Sequence, residues 1–345
     1  SDMALWTDII DPATLTGYAR ASLSDYEARK GSLARWLPNR TVPSIDVKFV
    51  AGSFGLVEIA DFRAYDAEPT IGKAPSGKRI TLELPALGQN IPVSEYNQLR
   101  AAGASPSDET VLGTIQRTTD IVVRAVADAI ERLRGTVLVT GKATVSGFMD
   151  DDFGRAGGHT VNAGTLWSNA AADALGDLTT WSDTYRSANG EAPGAIVMST
   201  RVLRAMASLN QMRTQLASGS TRPATLQDVQ DTVAANGLPP IYLYDRNVSV
   251  SGSSTKVVAD DKVLLLPEPV EDVNDWQGTQ LGATYWGRTL SSMEANWEIA
   301  EPDQPGLVAG VYRGEKPPMI AEVLSDAIAL PVLANANLSF AAGVL

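Results

Sequence analysis

The chain has 345 residues, enough to bury a sizeable core and to form two or three lobes. It has no cysteine and a single histidine, which excludes disulfides and thiolate chemistry and leaves almost no material for His-based metal sites or Ser/His/Asp triads. A formal net charge of −12 argues against a nucleic-acid-binding surface built from clustered Lys and Arg. No apolar run reaches about eighteen residues, so no membrane-spanning helix is expected. The opening SDMALWTDII lacks the basic start and apolar core of a signal peptide.

Residues 1–41 read as an N-terminal arm. Asp11-Pro12 and Thr14 open a helical pattern that continues through Leu15, Tyr18, Ala19 and Leu23. Trp6 and Trp36 stand out in this polar arm as docking residues, either for the chain's own domain or for a neighbouring copy. Residues 42–92 read as a long hairpin. Residues 42–49 and 56–65 are rich in β-branched and aromatic residues, Pro69, Gly72, Pro75 and Gly77 mark a turn-rich tip, and residues 79–84 alternate as a return strand. Lys73, Lys78 and Arg79 make the tip basic in an acidic chain, either as a solubilised loop end or as a charged contact with an acidic neighbour. An isolated hairpin is marginal in water, so this one is expected to lie on another surface.

Residues 93–102 form a short helical lead into the most ordered pattern in the chain, residues 105–135. Ser105 is its expected N-cap, Pro106 suits the first turn, and Asp108 and Glu109 complement the positive end of the helix. Val111, Ile115, Thr119, Val122, Val126, Ile130 and Leu133 recur at spacings of three and four and so share one stripe. Arg132 and Arg134 occupy the expected last turn, with Gly135 as the C′ residue. The stripe is too rich in Val and Ala for a strict heptad seam.

The β-branched residues 136–149, broken by Gly141, read as two strand pieces around a turn, and residues 150–160 as a loop. Trp167, Ala171, Leu175, Leu178, Trp181 and Tyr185 form one helical pattern. Residues 195–198 read as a buried strand, and Val202, Leu203, Met206 and Leu209 as a second helix. A short helix is expected over residues 225–235. Strands are expected over 241–244, 248–250, 255–258 and 263–266, with a long-range strand over 319–324. Helices and strands mix without a regular βαβ repeat, which defines an α+β class.

Chemical motifs are sparse. Asp150, Asp151 and Asp152 with His159 come nearest to a metal cluster, but consecutive carboxylates do not converge unless the loop folds tightly, and no calcium-loop spacing is present. Glu294 and Glu298 beside Trp297 offer a carboxylate pair for a hydrolase reading, against the plainer reading of acidic residues around an aromatic strand. Gly154, Gly157 and Gly158 match no phosphate-binding fingerprint. These residues point to neither an enzyme nor a cofactor.

The order of parts resembles a tailed-phage major capsid protein of the HK97 fold, and most closely the lambda-type major capsid protein E family. GKATVSG after the long helix, GGHTVNAGTLWSNAAADAL, PGAIVMSTRVLRAM, and VADDKVLLLPEPV followed by LGATYWGRT are similar, in order, to segments of that family. The resemblance implies an HK97-like α+β fold: arm at 1–41, extended hairpin loop at 42–92, spine helix and first part of a peripheral domain at 93–166, axial domain at 167–280, and return strands of the peripheral domain at 281–345. It further implies a structural protein that self-assembles through hexamers and pentamers into an icosahedral shell enclosing double-stranded phage DNA without sequence-specific binding. No membrane is involved. Scaffold or protease, portal and decoration proteins are the implied partners, the virion capsid is the implied location, and the host cytoplasm the implied place of assembly. Contact candidates are Trp6, Trp36, Lys73, Lys78 and Arg79. Some members of the fold carry a Lys–Asn isopeptide cross-link, for which Lys73 or Lys78 and Asn335 or Asn337 would be the partners, although no motif fixes them. The rival reading is an encapsulin-like nanocompartment shell.

Overall fold

Two sheets and one long helix organise the described part of this computed structural model, residues 3–51, 78–103, 108–215, 222–273 and 279–345 with isolated positions 59, 68 and 71. Strand β1 (Met3–Leu5) precedes α1 (Pro12–Lys30), which starts as its residues predict: the Asp11 carboxylate accepts from the Thr14 N–H at 2.9 Å. Leu15, Ala19 and Leu23 are buried, and the helix continues past them to Gly31 at φ 69°. The arm therefore docks on its own subunit.

Strand β2 (Asn39–Thr41) follows, and β3 (Asp46–Ala51) pairs antiparallel with β4 (Lys78–Glu83), Asp46 opposite Glu83 and Ala51 opposite Lys78. The expected strand at 56–65 and the turn-rich tip with Lys73 fall outside the described residues, apart from isolated positions. Strand β5 (Ala86–Val93) lies within the stretch read as hairpin, yet it pairs along its whole length with residues 321–328. Helix α2 (Glu95–Ala102) is capped by the Ser94 hydroxyl, which accepts from Asn97 N–H at 3.2 Å.

Helix α3 (Asp108–Thr140) has 33 residues, a rod of about 50 Å at 1.5 Å rise per residue. Its expected cap, Ser105-Pro106, lies outside the described residues. The expected stop at Gly135 is wrong, because the helix runs through it to Thr140 and Gly141 at φ 70° ends it. The β-branched segment after Gly135 is helical because Val137 and Leu138, both 0% exposed, pack into the second core. Tertiary burial overrides the strand propensity of Val and Thr here.

The chain then forms the hairpin β6 (Lys142–Val145) and β7 (Met149–Asp152), and β8 (Thr160–Asn162). Helix α4 (Ala174–Asn189) starts at Asp173, so Trp167 and Ala171 precede it instead of forming its first turns. The buried strand is present as β9 (Ala195–Met198), followed by α5 (Thr200–Ala207), α6 (Asn210–Gln215) and α7 (Leu226–Ala235). A capping box between Thr225 and Asp228 opens α7. Strands β10 (Ile241–Leu243), β11 (Asn247–Val250), β12 (Ser253–Lys256), β13 (Lys262–Leu266) and β14 (Gly282–Trp286) lead to the short α8 (Leu290–Met293). Strands β15 (Val308–Gly314), β16 (Ala321–Leu333) and β17 (Phe340–Gly343) complete the chain.

The first sheet has the order β1-β15-β16-β14-β2, with β5 also on β16. Strand β16, 13 residues long, is shared by three partners: residues 321–326 pair with β15, 321–328 with β5, and 329–333 with β14. The second sheet has the order β10-β9-β13-β17-β8. Strand β17 thus leaves the first sheet, to which the C-terminal region was expected to return, and is buried at every position between β13 and β8. One core lies between α1, α3 and the first sheet; the other fills the region of the second sheet and α4, α5 and α7.

Candidate assembly surfaces and a buried charge cluster

The spine α3 presents two faces. On its inner side Ile115, Thr119, Val122, Val126 and Ile130 are each 2% exposed or less, which is the stripe expected from the spacing. Thr119 satisfies its hydroxyl by donating to the Ile115 carbonyl at 2.8 Å. The apolar stripe lies against the first sheet and α1.

Near the end of that stripe the spacing rule stops describing the side chains. Arg134, read from sequence as a helix-end residue, is 0% exposed. Its guanidinium donates to Glu27 Oε1 at 2.9 Å, Glu131 Oε2 at 3.0 Å, Asn39 Oδ1 at 2.7 Å and Thr284 Oγ1 at 2.9 Å. Asn39 Nδ2 donates in turn to Glu27 Oε2 at 2.9 Å, and Trp286 Nε1 donates to Asn39 Oδ1 at 2.8 Å. Glu131 Oε1 accepts from the Leu33 N–H at 2.7 Å and the Tyr244 hydroxyl at 2.6 Å. Burial opposes the charge on Arg134, but Glu27 and Glu131 outweigh it and hold its pKa above the ordinary arginine value. Burial, and then the Glu131 charge, push the Tyr244 phenol well up.

A second arginine extends the cluster. Arg246 Nη2 donates to Asp128 at 2.8 Å, its Nη1 lies 3.8 Å from Glu131, and its guanidinium stacks 5.1 Å above the Tyr26 ring. The cluster therefore ties α1, β2, α3 and β14 to the segment around β10 and β11. Its members are scattered from residue 26 to 286, so no sequence window contains them.

The residues proposed from sequence for chemistry do not converge. Asp150, Asp151 and Asp152 lie on β7, where successive side chains alternate. His159 is buried elsewhere, with Nδ1 3.2 Å from the Ser339 carbonyl and its ring 5.4 Å from Phe340. Among the described residues no group of three His, Asp or Glu could hold a metal. Glu294 and Glu298 are exposed on a 3-10 turn around the buried Trp297, open to solvent and not in a cleft.

The contact candidates divide. Trp36 is 3% exposed, its Nε1 donates to the Pro267 carbonyl at 2.9 Å, and Tyr242 meets it edge-on at 5.7 Å. It docks on its own subunit, the first of the two readings that its place in the arm left open. Trp6 is half-buried beneath the Arg313 guanidinium, 4.6 Å from its centroid. Arg79 is exposed on β4; Lys78 begins the same strand, and Lys73 lies outside the described residues. Asn335 is 5% exposed, and Asn337 Oδ1 accepts from the Ala156 N–H at 2.9 Å. Both cross-link acceptors are thus engaged within their own subunit.

Sequence reading missed the exposed apolar residues that the fold displays on rigid supports. Helix α2 has no buried residue. Two of its polar side chains face inward: Gln98 Nε2 donates to the Met319 carbonyl at 2.7 Å, and Glu95 Oε1 accepts from the Met319 N–H at 2.5 Å. Tyr96 and Leu99 are left 69% and 71% exposed. Phe148, 85% exposed, caps the β6–β7 turn, and Leu290, 79% exposed, starts α8. Beside the β6–β7 hairpin runs a groove of about 470 Å³ between Leu87, Ile130, Leu133 and Val145. Tyr96, Leu99, Phe148 and Leu290 are thus large apolar side chains held outside on ordered elements.

No curated protein matches the chain in sequence. Among solved structures it resembles the crystal structure of a protein assigned as a prophage capsid protein in E. coli CFT073, with TM-score 0.65 and 14% identity over 97% of this chain and 99% of that one. A phage-related protein from Bordetella bronchiseptica RB50 matches with TM-score 0.61 and 16% identity over 96% of each chain. The fold shared with these two proteins is therefore the HK97-like α+β fold. The chain belongs to the phage major capsid protein E family, whose model matches residues 41–281. It is a structural protein of a phage capsid shell.

Proposed function

We propose that this chain self-assembles through hexamers and pentamers into an icosahedral shell that encloses double-stranded phage DNA. The observation that carries the proposal is the family match over residues 41–281. The subunit supports it physically: two self-contained cores braced by a rod, with apolar side chains held outside on α2, the β6–β7 turn and α8. Shell energy spread over several modest contacts lets one subunit occupy slightly different environments.

In this reading α3 is the spine, β3 and β4 are the base of an extended loop, the first sheet with the spine forms the peripheral domain, and the second sheet forms most of the axial domain. Trp6 and Arg79 remain contact residues toward neighbouring copies. Portal, decoration protein, and scaffold or protease are its partners, the host cytoplasm its place of assembly and the virion its destination. Its role in this reading is structural, as the capsid family suggests, and Glu294 and Glu298, the carboxylate pair of the hydrolase reading, face open solvent.

Negative-stain microscopy of the purified chain tests the proposal. Closed shells or hexamer and pentamer rings are expected, and a strictly monodisperse monomer under assembly conditions would overturn it. An encapsulin-like compartment would instead form shells that retain a protein cargo and exclude DNA.

A further inference from the structure

From Thr110 to Thr140 the spine carries seven charged side chains, and the fold sorts them by sign. The three carboxylates are consumed by neighbouring elements. Asp120 accepts from Tyr18 at 3.1 Å and Ser22 at 2.8 Å, Asp128 from Tyr26 and Arg246, and Glu131 from Arg134 and Tyr244. Arg134 is consumed with them. What remains exposed is Arg117, Arg124 and Arg132. None of the three forms an ion pair with a described carboxylate. Arg117 donates to Thr114 at 3.2 Å and Arg124 lies 5.8 Å from the Tyr26 ring, contacts that leave both charges intact.

At 100° per residue the three guanidinium positions fall within about 80° of arc, roughly 11 Å and 12 Å apart along the rod. The carboxylate within that arc, Asp128, is already bound to Arg246. A chain with a net charge of −12 thus displays, on its stiffest element, a straight stripe of unneutralised positive charge. We propose that this stripe contacts the phosphate backbone of duplex DNA inside the shell. The proposal rests on the capsid reading and adds to it the surface and residues that face the packaged molecule.

A second copy of the chain is the other polyanionic partner to consider, and the composition of the stripe disfavours it. Interface centres are depleted in charge and enriched in aromatic anchors. Between the arginines on this face stand the exposed Ile121, the half-buried Ala125 and the already paired Asp128, whereas the exposed aromatics Tyr96 and Phe148 lie on other elements. Regularly spaced single charges on a rod suit a ligand whose charge is itself regularly spaced, and whose sequence is not read. Three contacts per subunit in an otherwise acidic wall give attachment that is weak per subunit and easily reversed.

The test uses the purified full chain and a labelled duplex of about thirty base pairs in two unrelated sequences, titrated by anisotropy over a series of salt concentrations. Wild type should bind both sequences equally, with log K falling against log salt at a slope of about −2.7 for three phosphate contacts. The triple variant R117Q/R124Q/R132Q should lose most of this slope, each single variant about 0.9 of it, and the triple Lys variant should retain it. Microscopy of the same preparations reads assembly separately, so failure of the shell reading shows in wild type whatever the DNA result. An unchanged slope in a folded triple Gln variant, or no duplex binding by wild type at low salt, would overturn the proposal. Loss of assembly with unchanged DNA binding would overturn it in favour of a contact between copies.

Discussion

Gly135 lies directly against Val257: a Cβ built on it would collide with the Val257 carbonyl oxygen and stand 2.7 Å from Cγ1. This glycine sits inside α3, where helix propensity alone favours alanine by about 1 kcal/mol. Its role is close approach between the spine and the bend that follows β12. Gly135→Ala should therefore destabilise the subunit by about 1–3 kcal/mol, since the obstacle is backbone and cannot rotate away. Urea unfolding measures it, and a stabilised variant would show that the two segments part easily.

The buried cluster sets a second expectation. Arg134→Ala leaves Glu27 without a counter-charge and Glu131 with only Arg246, 3.8 Å away, a loss of about 3–5 kcal/mol. Changing Arg134 to Met together with Glu27 and Glu131 to Gln should recover much of that loss, because the penalty comes from unpaired charge more than from missing contacts. The comparison of the two denaturation midpoints decides; equal midpoints would mean that water reaches the carboxylates.

The spine and the strand Ala195–Met198 were legible from sequence because each carries its evidence locally: a seven-residue stripe in one case, a fully apolar run between turn residues in the other. Strand β5 was not, since ALGQNIPV is mostly exposed and its partner lies more than 200 residues away. The helical continuation past Gly135 was hidden because Val and Thr favour strands until burial decides otherwise. The same holds for Trp36, where the choice between own domain and neighbour depended on Pro267 and Tyr242. The exposure of α2 was hidden for a related reason: Tyr96 and Leu99 look like a core face at helical spacing, and only the inward turn of Glu95 and Gln98 shows which side of the helix faces the subunit.

His159, the only histidine, gives a pH test free of competing groups of its kind. Burial lowers its pKa below 6.5, opposed by the Ser339 carbonyl and assisted by the Arg155 charge. In the unfolded chain the imidazole titrates near 6.5, so between the two values the unfolded state holds more protons. Stability is therefore full above that range and falls as pH drops through 6.5, with a slope of at most about 1.4 kcal/mol per pH unit. Thermal or urea unfolding between pH 7.5 and 5.5 should show this slope in wild type and not in His159→Gln. An identical slope in the variant would assign the effect to other groups.

Tyr96 and Leu99 separate assembly from folding. Neither packs in the subunit, so changing both to Ser should alter subunit stability by no more than about 0.5 kcal/mol. If α2 meets a neighbouring copy in the shell, each buried contact removed costs on the order of 1–2 kcal/mol per interface. Repeated at every equivalent contact, that loss should shift the concentration needed for assembly upward by tenfold or more, about 1.4 kcal/mol per tenfold. Light scattering against protein concentration reads the threshold, and thermal unfolding of the unassembled subunit supplies the control. A lower melting temperature together with an unchanged threshold would place the α2 face inside the subunit's own energetics. An unchanged melting temperature with a raised threshold is the expected result, because Glu95 and Gln98 fasten this helix to Met319 while Tyr96 and Leu99 stay exposed on the subunit.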